Sequence, residues 1–291
     1  MSDPADEFAA HRPLLFSIAY EILGSVADAE DVVQDAYLRW QAVDHASVDN
    51  PRAYLARVVT RRALDLLRSA ARRREEYVGP WLPEPLATDG ADPGLDHVLT
   101  GEAVTTAMLL VLETLTPAQR AVFVLREVFD FGYPEIAAAV GRSEAAVRQL
   151  NRRARAHVRE RRGAAIADPA EARPVVERFL TAAATGDVQS LMDLLAPDVV
   201  FLADGGGVVS AVRRPVHGPD KVARLLLGLF AKGARMGVLD IRVGVTNGMH
   251  SITAYLDGAL DQITALEVRD GRVTAIYCVR NPEKLTKVPA H

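Results

Sequence analysis

The stretch from Phe131 to Arg162 constrains this chain most, because it reads as two short helices joined by a turn, with arginine crowded onto the second. In Tyr133-Pro-Glu-Ile-Ala-Ala-Ala-Val140, the residues Ile136, Ala137 and Val140 fall on one helical face, and Gly141 supplies the backbone freedom of a tight turn. Ser143 then offers a hydroxyl to the free amides that open the next helix. Along that helix Val147, Leu150, Ala154 and Val158 recur at three- and four-residue intervals as an inward stripe. Arg148, Gln149, Arg152, Arg153, Arg155 and Arg159 are left facing outward or flanking it. Such a surface suits DNA, since arginine and glutamine reach guanine and adenine edges in the major groove and spare guanidinium groups neutralise phosphates. A solvated basic helix is the bland alternative, yet only Glu144 and Glu160 oppose the arginines between Arg142 and Arg162.

A length of 291 residues suggests two or three domains, and 25% charged against 49% hydrophobic residues is the balance of a soluble globular protein. The formal net charge is −4, so the basic helix is a local feature. Cys278 is the sole cysteine and sits in the strand-like run Val273 to Val279, which excludes an intrachain disulfide and any multi-cysteine zinc site. Asp3, Asp6 and Glu7 contradict a secretory signal, and no apolar run approaches a membrane span, so the expected location is the cytoplasm, with no membrane partner.

Before the two-helix element the chain reads as helical. Leu14, Leu15, Ile18, Ala19 and Ile22 make one apolar face that ends at Gly24. Asp28 to Trp40 follows as an amphipathic helix with Asp28, Glu30, Asp31 and Asp35 toward its positive end, a face either solvated or suited to docking a protein. Asn50-Pro51 opens a basic helix in which Tyr54, Leu55, Val58, Val59 and Leu66 face the core. Arg57, Arg61, Arg62, Arg68 and Arg72 to Arg74 can track a phosphate backbone. Trp40 and Tyr54 are either core aromatics or stacking platforms for unpaired bases. Val78-Gly-Pro-Trp-Leu-Pro-Glu-Pro-Leu86 cannot continue a helix and reads as an extended linker, whose Trp81 needs a docking place. Leu95 to Leu115 reads as helical, and Thr116-Pro117 starts a further helix that carries Val122, Phe123 and Leu125 inward.

Four motifs in order, Ala29-Glu-Asp-Val-Val-Gln-Asp-Ala-Tyr-Leu-Arg-Trp40, Asn50-Pro-Arg-Ala-Tyr-Leu-Ala-Arg57, Leu115-Thr-Pro-Ala-Gln-Arg-Ala-Val-Phe-Val-Leu125 and Glu135-Ile-Ala with Ser143-Glu-Ala-Ala-Val-Arg148, closely resemble a bacterial sigma-70 family initiation factor of the extracytoplasmic-function type. The resemblance covers about Phe8 to Arg162. It implies that Asp28, Glu30, Asp31, Gln34 and Asp35 dock on the clamp helices of the polymerase beta-prime subunit, with the beta flap of core RNA polymerase as a second contact. It implies that Tyr54, Arg57, Arg61 and Arg62 handle the melted minus-ten element of promoter DNA. It also implies that the helix from Ser143 to Arg159, with Arg148, Gln149, Arg152 and Arg153, enters the major groove at minus thirty-five.

Beyond Arg162 the composition shifts, with Gly163 to Pro169 as a short connector. Pro174 to Ala184, Val188 to Leu195 and Pro219 to Ala231 read as helices, and Val199 to Leu202 and Val208 to Arg213 as strands around the turn Asp204-Gly-Gly-Gly207. Val238 to Val245, Ser251 to Leu256, Leu260 to Val268 and Arg272 to Val279 are strands separated by Asn247-Gly248, Asp257-Gly258 and Asp270-Gly271, three strong hairpin signals. Helices and a hairpin-linked sheet make an α+β domain.

This last part resembles a SnoaL-like domain, of the fold shared with nuclear transport factor two, over about Ala170 to Leu285. Trp81-Leu-Pro-Glu-Pro85, Asp204-Gly-Gly-Gly207 and Asn281-Pro-Glu-Lys-Leu285 together resemble the signatures of the SigJ-like group of sigma factors, which carries such an extension. Val208 stands where that group often has lysine, and Glu283 where it has aspartate. The expected organisation is multidomain: two all-α sigma domains followed by an α+β domain. Residues 8–75 are expected to form region 2, 76–94 the linker, 95–163 region 4 and 170–285 the regulatory domain. Control is expected to run through Trp81, Leu82, Pro83, Asp204, Gly205, Gly206, Gly207, Asn281, Pro282, Glu283, Lys284 and Leu285.

Asp204, His217, His250 and Tyr255 are the residues to weigh as a proton-transfer site, because folds of this kind often enclose a pocket. Their spacing sets no reacting geometry, and Asp204 before glycines is equally a turn acceptor. No metal or phosphate-cradling motif is present, so the expectation is a non-enzyme without cofactor, with a small-molecule ligand of the C-terminal domain left open. The other reading is a ligand-responsive helix-turn-helix regulator that works without polymerase.

Overall fold

The structure is a computed structural model that describes residues 3–75, 77–86, 105–162 and 166–286; the side chains of residues 70–75, 162 and 234 are left aside. It divides into two compact units. Among the described residues, the first comprises 3–75 and 108–162, and the second 77–86, 105–107 and 166–286. The linker therefore belongs with the C-terminal part of the chain. The portion 95–104 of the expected helix Leu95 to Leu115 lies outside the described residues, as do the side chains of Arg72 to Arg74.

In the first unit, α1 (Pro4–Leu23) ends on Gly24, whose φ of 70° lets its N–H turn back to the Tyr20 carbonyl. Ser25 caps α2 (Val26–Gln41) through Asp28 N–H, and α3 (Pro51–Glu75) follows a short 3-10 turn at His45–Ser47. α1, α2 and α3 pack on one another through Phe16, Ile18, Ile22, Val32, Val33, Trp40, Leu55 and Val59, all buried. The second half of this unit holds α4 (Thr106–Glu113) from Met108 onward, its first two residues belonging to the second unit, then α5 (Pro117–Phe123), α6 (Tyr133–Val140) and α7 (Glu144–Arg162). Thr116 and Gln119 form a capping box at the start of α5. After Phe123 the helix that opens at Thr116-Pro117 widens into a π-helical turn at Val124–Val128, and Asp130 takes a φ of 51°.

In the second unit the strands β1 (Leu195–Asp204), β2 (Val216–His217), β3 (Leu239–Thr246), β4 (Met249–Leu256), β5 (Ala259–Arg269) and β6 (Arg272–Val279) form one sheet in the order β2-β1-β6-β5-β4-β3. β1 lies parallel to β6, and the other neighbours are antiparallel. The three hairpin turns hold Asn247, Asp257 and Asp270 at φ of 48°, 50° and 49°, each followed by a positive-φ glycine, as a type I′ turn requires.

α8 (Pro169–Thr185), α9 (Val188–Leu194) and α10 (Pro219–Met236) pack against the sheet through Val176, Phe179, Leu191, Val222 and Leu226. Phe201, Ala203, Ile276 and Cys278 point from the sheet into the same core. Strand alternation therefore turns Asp204, the residue after Ala203, to the opposite face. A four-residue helix, α11 (Pro282–Leu285), closes the described chain.

Two expectations are corrected. Val208 to Arg213 is not a strand; the edge of β1 is taken by β2, with Val200 opposite His217 and Phe201 opposite Val216. The helix expected from Pro174 begins at Pro169, where Asp168 caps it through Glu171 N–H and leaves Pro174 still within the first turns.

Candidate functional site

The acidic helix α2 buries Val26, Ala29, Val32, Val33, Ala36 and Trp40 and turns Asp31, Gln34 and Leu38 to solvent. Asp28, Glu30 and Asp35 are half-buried, and two of them already carry partners: Glu30 pairs with Arg12 at 2.7 Å and Asp35 with Arg62 at 2.8 Å. Leu38 is 58% exposed and lies one turn beyond Gln34, so Asp31, Gln34 and Leu38 form a ridge of two acceptors and an apolar tip. Sequence reasoning passed over Leu38, although its spacing from Asp31 and Gln34 was visible.

Trp40 takes the core role of the two open to it. It is 1% exposed, its Nε1 donates to the Pro4 carbonyl at 2.7 Å, and His45 stacks on it at 4.4 Å. Tyr54 is half-buried and lines a cleft of about 380 Å³ with Arg39, Val43, Arg57, Val58 and Arg61. The Arg57 guanidinium lies 5.2 Å from the Tyr54 ring, which gives the cleft an aromatic wall under positive charge. Arg61 is engaged within the unit: its Nη2 donates to the Ala138 carbonyl at 2.8 Å and its Nε to the Ala139 carbonyl at 3.4 Å, at the negative end of α6. Arg62 is held by Asp35.

In the helix-turn-helix, Gly141 turns at φ 67° and the Ser143 hydroxyl accepts from Ala146 N–H at 3.3 Å. Val147, Ala154 and Val158 are buried and Leu150 is half-buried, while Arg148, Gln149, Arg152, Arg153, Arg155 and Arg159 are exposed. Arg148 lies over the Tyr133 ring at 4.2 Å and pairs with Glu144 at 3.3 Å. Asn151, which the apolar pattern does not mark, is buried and donates to Glu127 at 2.8 Å, and Arg155 approaches the same carboxylate at 3.5 Å. This pairing orients α7 against the π-helical turn.

The second unit contains a dense polar cluster around Asp204, which is 0% exposed. Its Oδ1 accepts from the Tyr77 hydroxyl at 2.5 Å and Gly206 N–H at 3.0 Å, and its Oδ2 from Leu82 N–H at 2.9 Å and Lys284 Nζ at 2.7 Å. Lys284 also donates to the Leu82 carbonyl at 2.5 Å and sits 4.1 Å from the Trp81 ring and 5.1 Å from the Tyr77 ring. Asn281 Nδ2 donates to the Tyr77 hydroxyl at 2.9 Å, and its Oδ1 accepts Glu283 N–H at 3.1 Å as it caps α11. A carboxylate buried this deeply is tolerable because a cation and three further donors meet it. Burial first, and then the hydrogen bond and charge of Asp204, push the Tyr77 hydroxyl well above its ordinary pKa.

Gly205 and Gly206, beside Asp204, are required by space. A Cβ on Gly205 would stand 2.6 Å from the Val209 carbonyl, and one on Gly206 would stand 2.5 Å from the Asn281 side chain. Gly207, at φ 74°, would bring a Cβ to 3.1 Å from Val78. Trp81, Leu82, Asp204, Gly205, Gly206, Gly207, Asn281 and Lys284 are thus brought together. Pro83 and Leu285 are buried nearby in the chain, whereas Pro282 and Glu283 are exposed. Tyr77 was missed, since nothing in the sequence distinguishes it from an ordinary linker aromatic.

Three of the four residues weighed for proton transfer have other engagements. Asp204 is met by Tyr77 and Leu82 of the linker and by Lys284, while His217 is exposed on β2. His250 Nε2 meets the Pro169 carbonyl at 2.5 Å, and Tyr255 lies under Arg242 at 4.7 Å. Cys278 is fully buried, which pushes its thiol up to about 11.

Comparison with known proteins gives three family matches. Residues 8–73 match Sigma-70 region 2, residues 105–158 match Sigma-70 region 4, and residues 176–276 match the SnoaL-like domain. The chain is 44% identical to the ECF RNA polymerase sigma factor SigJ of Mycobacterium tuberculosis, over 97% of this chain and 93% of that one. It is 33% identical to the probable ECF RNA polymerase sigma factor SigI of the same organism, over 97% and 94% of the two chains. The crystal structure of M. tuberculosis SigJ superposes with a TM-score of 0.80 at 40% identity, covering 99% of this chain and 100% of that one.

Proposed function

We propose, from the premise that the chain belongs to the family of extracytoplasmic-function RNA polymerase sigma factors, that its C-terminal domain controls it by gripping the linker between regions 2 and 4. Membership makes the chain a transcription-initiation factor that works with RNA polymerase at promoter DNA. The reading as a regulator independent of polymerase falls away, because relatives matched over nearly the whole chain are sigma factors.

The finer assignments are our reading. The ridge of Asp31, Gln34 and Leu38, flanked by Asp28, Glu30 and Asp35, supports docking on the beta-prime clamp helices, since a leucine tip offers apolar burial and the acids offer charge complementarity. The beta flap of core polymerase is the second contact in this reading. The cleft lined by Tyr54, Arg57 and Arg61 supports capture of an unpaired minus-ten base, with the ring as a stacking surface and the guanidinium groups meeting phosphate. For this Arg61 must leave the Ala138 and Ala139 carbonyls, and Arg62 must leave Asp35. The exposed row of Arg148, Gln149, Arg152 and Arg153 supports major-groove reading at minus thirty-five. Work with polymerase on DNA belongs in the cytoplasm, and among the described residues no helix is long and apolar enough to cross a membrane.

The observation that carries the regulatory part is the Asp204 cluster. A buried carboxylate and a buried ammonium group both bind the main chain of one linker residue, Leu82, so the cluster recognises the linker itself. Its donors and acceptors are consumed in that grip, which supports a regulatory, non-catalytic role for the domain. Run-off transcription with core polymerase tests this. Trp81→Ala and Asp204→Asn are expected to change the output of the full-length chain, and unchanged output from both would remove the regulatory reading.

A further inference from the structure

The turn between β3 and β4 carries Asn247, whose chemistry exceeds what the turn asks of it. Asp257 and Asp270 fill the same positive-φ position in the other two hairpins and are exposed. Any residue that tolerates the left-handed region, asparagine, aspartate or glycine, satisfies such a turn. Asp257 also exchanges a pair of bonds with Val238, its Oδ1 accepting Val238 N–H and its N–H donating to the Val238 carbonyl, both at 2.9 Å. Asn247 differs in being 6% exposed and in carrying an amide NH2 that makes contacts no aspartate can make.

Leu86 N–H donates to Asn247 Oδ1 at 3.1 Å, and Asn247 N–H donates to the Leu86 carbonyl at 3.0 Å. Together these imitate one rung of a β-ladder, with a side chain as half of the rung. Asn247 Nδ2 lies 3.4 Å from the Glu84 carbonyl and 3.4 Å from the Thr106 hydroxyl. Asparagine alone among the turn-compatible residues offers a donor and an acceptor on one side chain. Aspartate would set a second acceptor against the Glu84 carbonyl, and glycine would offer nothing.

We propose that Asn247 is a positioning residue that clasps the chain where it leaves the linker and where it returns. Glu84 and Leu86 precede residues 87–104, and Thr106 follows them, so one amide holds both ends of that segment to the C-terminal unit. The Asp204 cluster holds Leu82 and Asn247 holds Leu86, which makes a two-point grip on a strap that is at most about 14 Å long between them. This inference rests on the linker-gripping reading above and extends it to the start of region 4.

Hydrogen exchange on the full-length chain, paired with run-off transcription on promoters of graded spacer length, tests it. Asn247→Gly keeps the turn conformation and removes the amide, so the Leu86 amide should exchange about tenfold faster while the Leu82 amide is unchanged. The same variant should shift or broaden the preferred spacer. Asn247→Asp, which keeps the acceptor, should retain Leu86 protection and give a smaller change in spacer preference. Unchanged Leu86 exchange in Asn247→Gly overturns the clasp, and faster exchange with an unaltered spacer profile overturns its positioning role. Asp204→Asn run in parallel separates the two readings. If it alone alters transcription, the clasp falls and the Asp204 grip stands; if Asn247→Gly alone does so, the clasp stands and the Asp204 grip falls.

Discussion

Gly206 shows how a single backbone position can decide whether the linker is held. It sits at φ 63°, and a side chain there would run into the Asn281 amide that orients Tyr77. Gly206→Ala is therefore expected to cost at least ~1 kcal/mol in urea unfolding, above the usual penalty for restoring a side chain to a left-handed site. Tyr77 gives the same cluster a pH signature. Its hydroxyl has a folded pKa raised above the ordinary 10.0, so its contribution is complete below that value and is lost as pH rises through the folded one. The stability difference between the native chain and Tyr77→Phe should thus be constant around neutrality and shrink above about pH 10, as urea titrations at increasing pH would show. At this scale the sequence was informative where a motif placed glycines after a polar strand end, as at Gly205 to Gly207. It was silent on Tyr77 and Asn247, whose partners lie more than a hundred residues away in the chain and leave no local pattern.

The helices were the legible elements, because their caps and apolar stripes are local. Gly24, Thr116 and Gly141 all stand at the ends that the sequence marks, whereas the helix expected from Asp28 begins earlier, at Val26. The strand expected at Val208 to Arg213 failed because alternation cannot say which edge β1 has free, and Val216 and His217 occupy it. In the helix from Glu144 to Arg162, the outward residues are expected to divide by task if Arg148 or Gln149 contacts a base. Arg148→Ala or Gln149→Ala should cost about 1–3 kcal/mol in binding and relax preference at one minus-thirty-five position, whereas Arg159→Ala should weaken binding to all sequences alike and lower the salt dependence. Quantitative footprinting across salt concentrations checks both, and equal sequence preference in every variant would contradict the division. On the acidic helix, Leu38→Ala should weaken binding to core polymerase by about 1 kcal/mol or more without lowering thermal stability, since the side chain is exposed. A pull-down or fluorescence titration with purified core polymerase would show it.

At the scale of the whole molecule, composition and motif order announced sigma regions followed by an α+β domain, and both the fold and the relatives agree. The division into units was less legible. The linker that separates regions 2 and 4 in sequence belongs structurally with the C-terminal unit, a partnership made by long-range bonds to Asp204, Lys284 and Asn247. The fused domain is therefore proposed as a regulator that acts through the linker. Run-off transcription with purified core polymerase tests this, comparing the effect of Trp81→Ala in the full-length chain and in a chain ending after Arg162. The substitution is expected to change output in the full-length chain and to add nothing once the C-terminal domain is gone. An equal effect of Trp81→Ala in both backgrounds would contradict it.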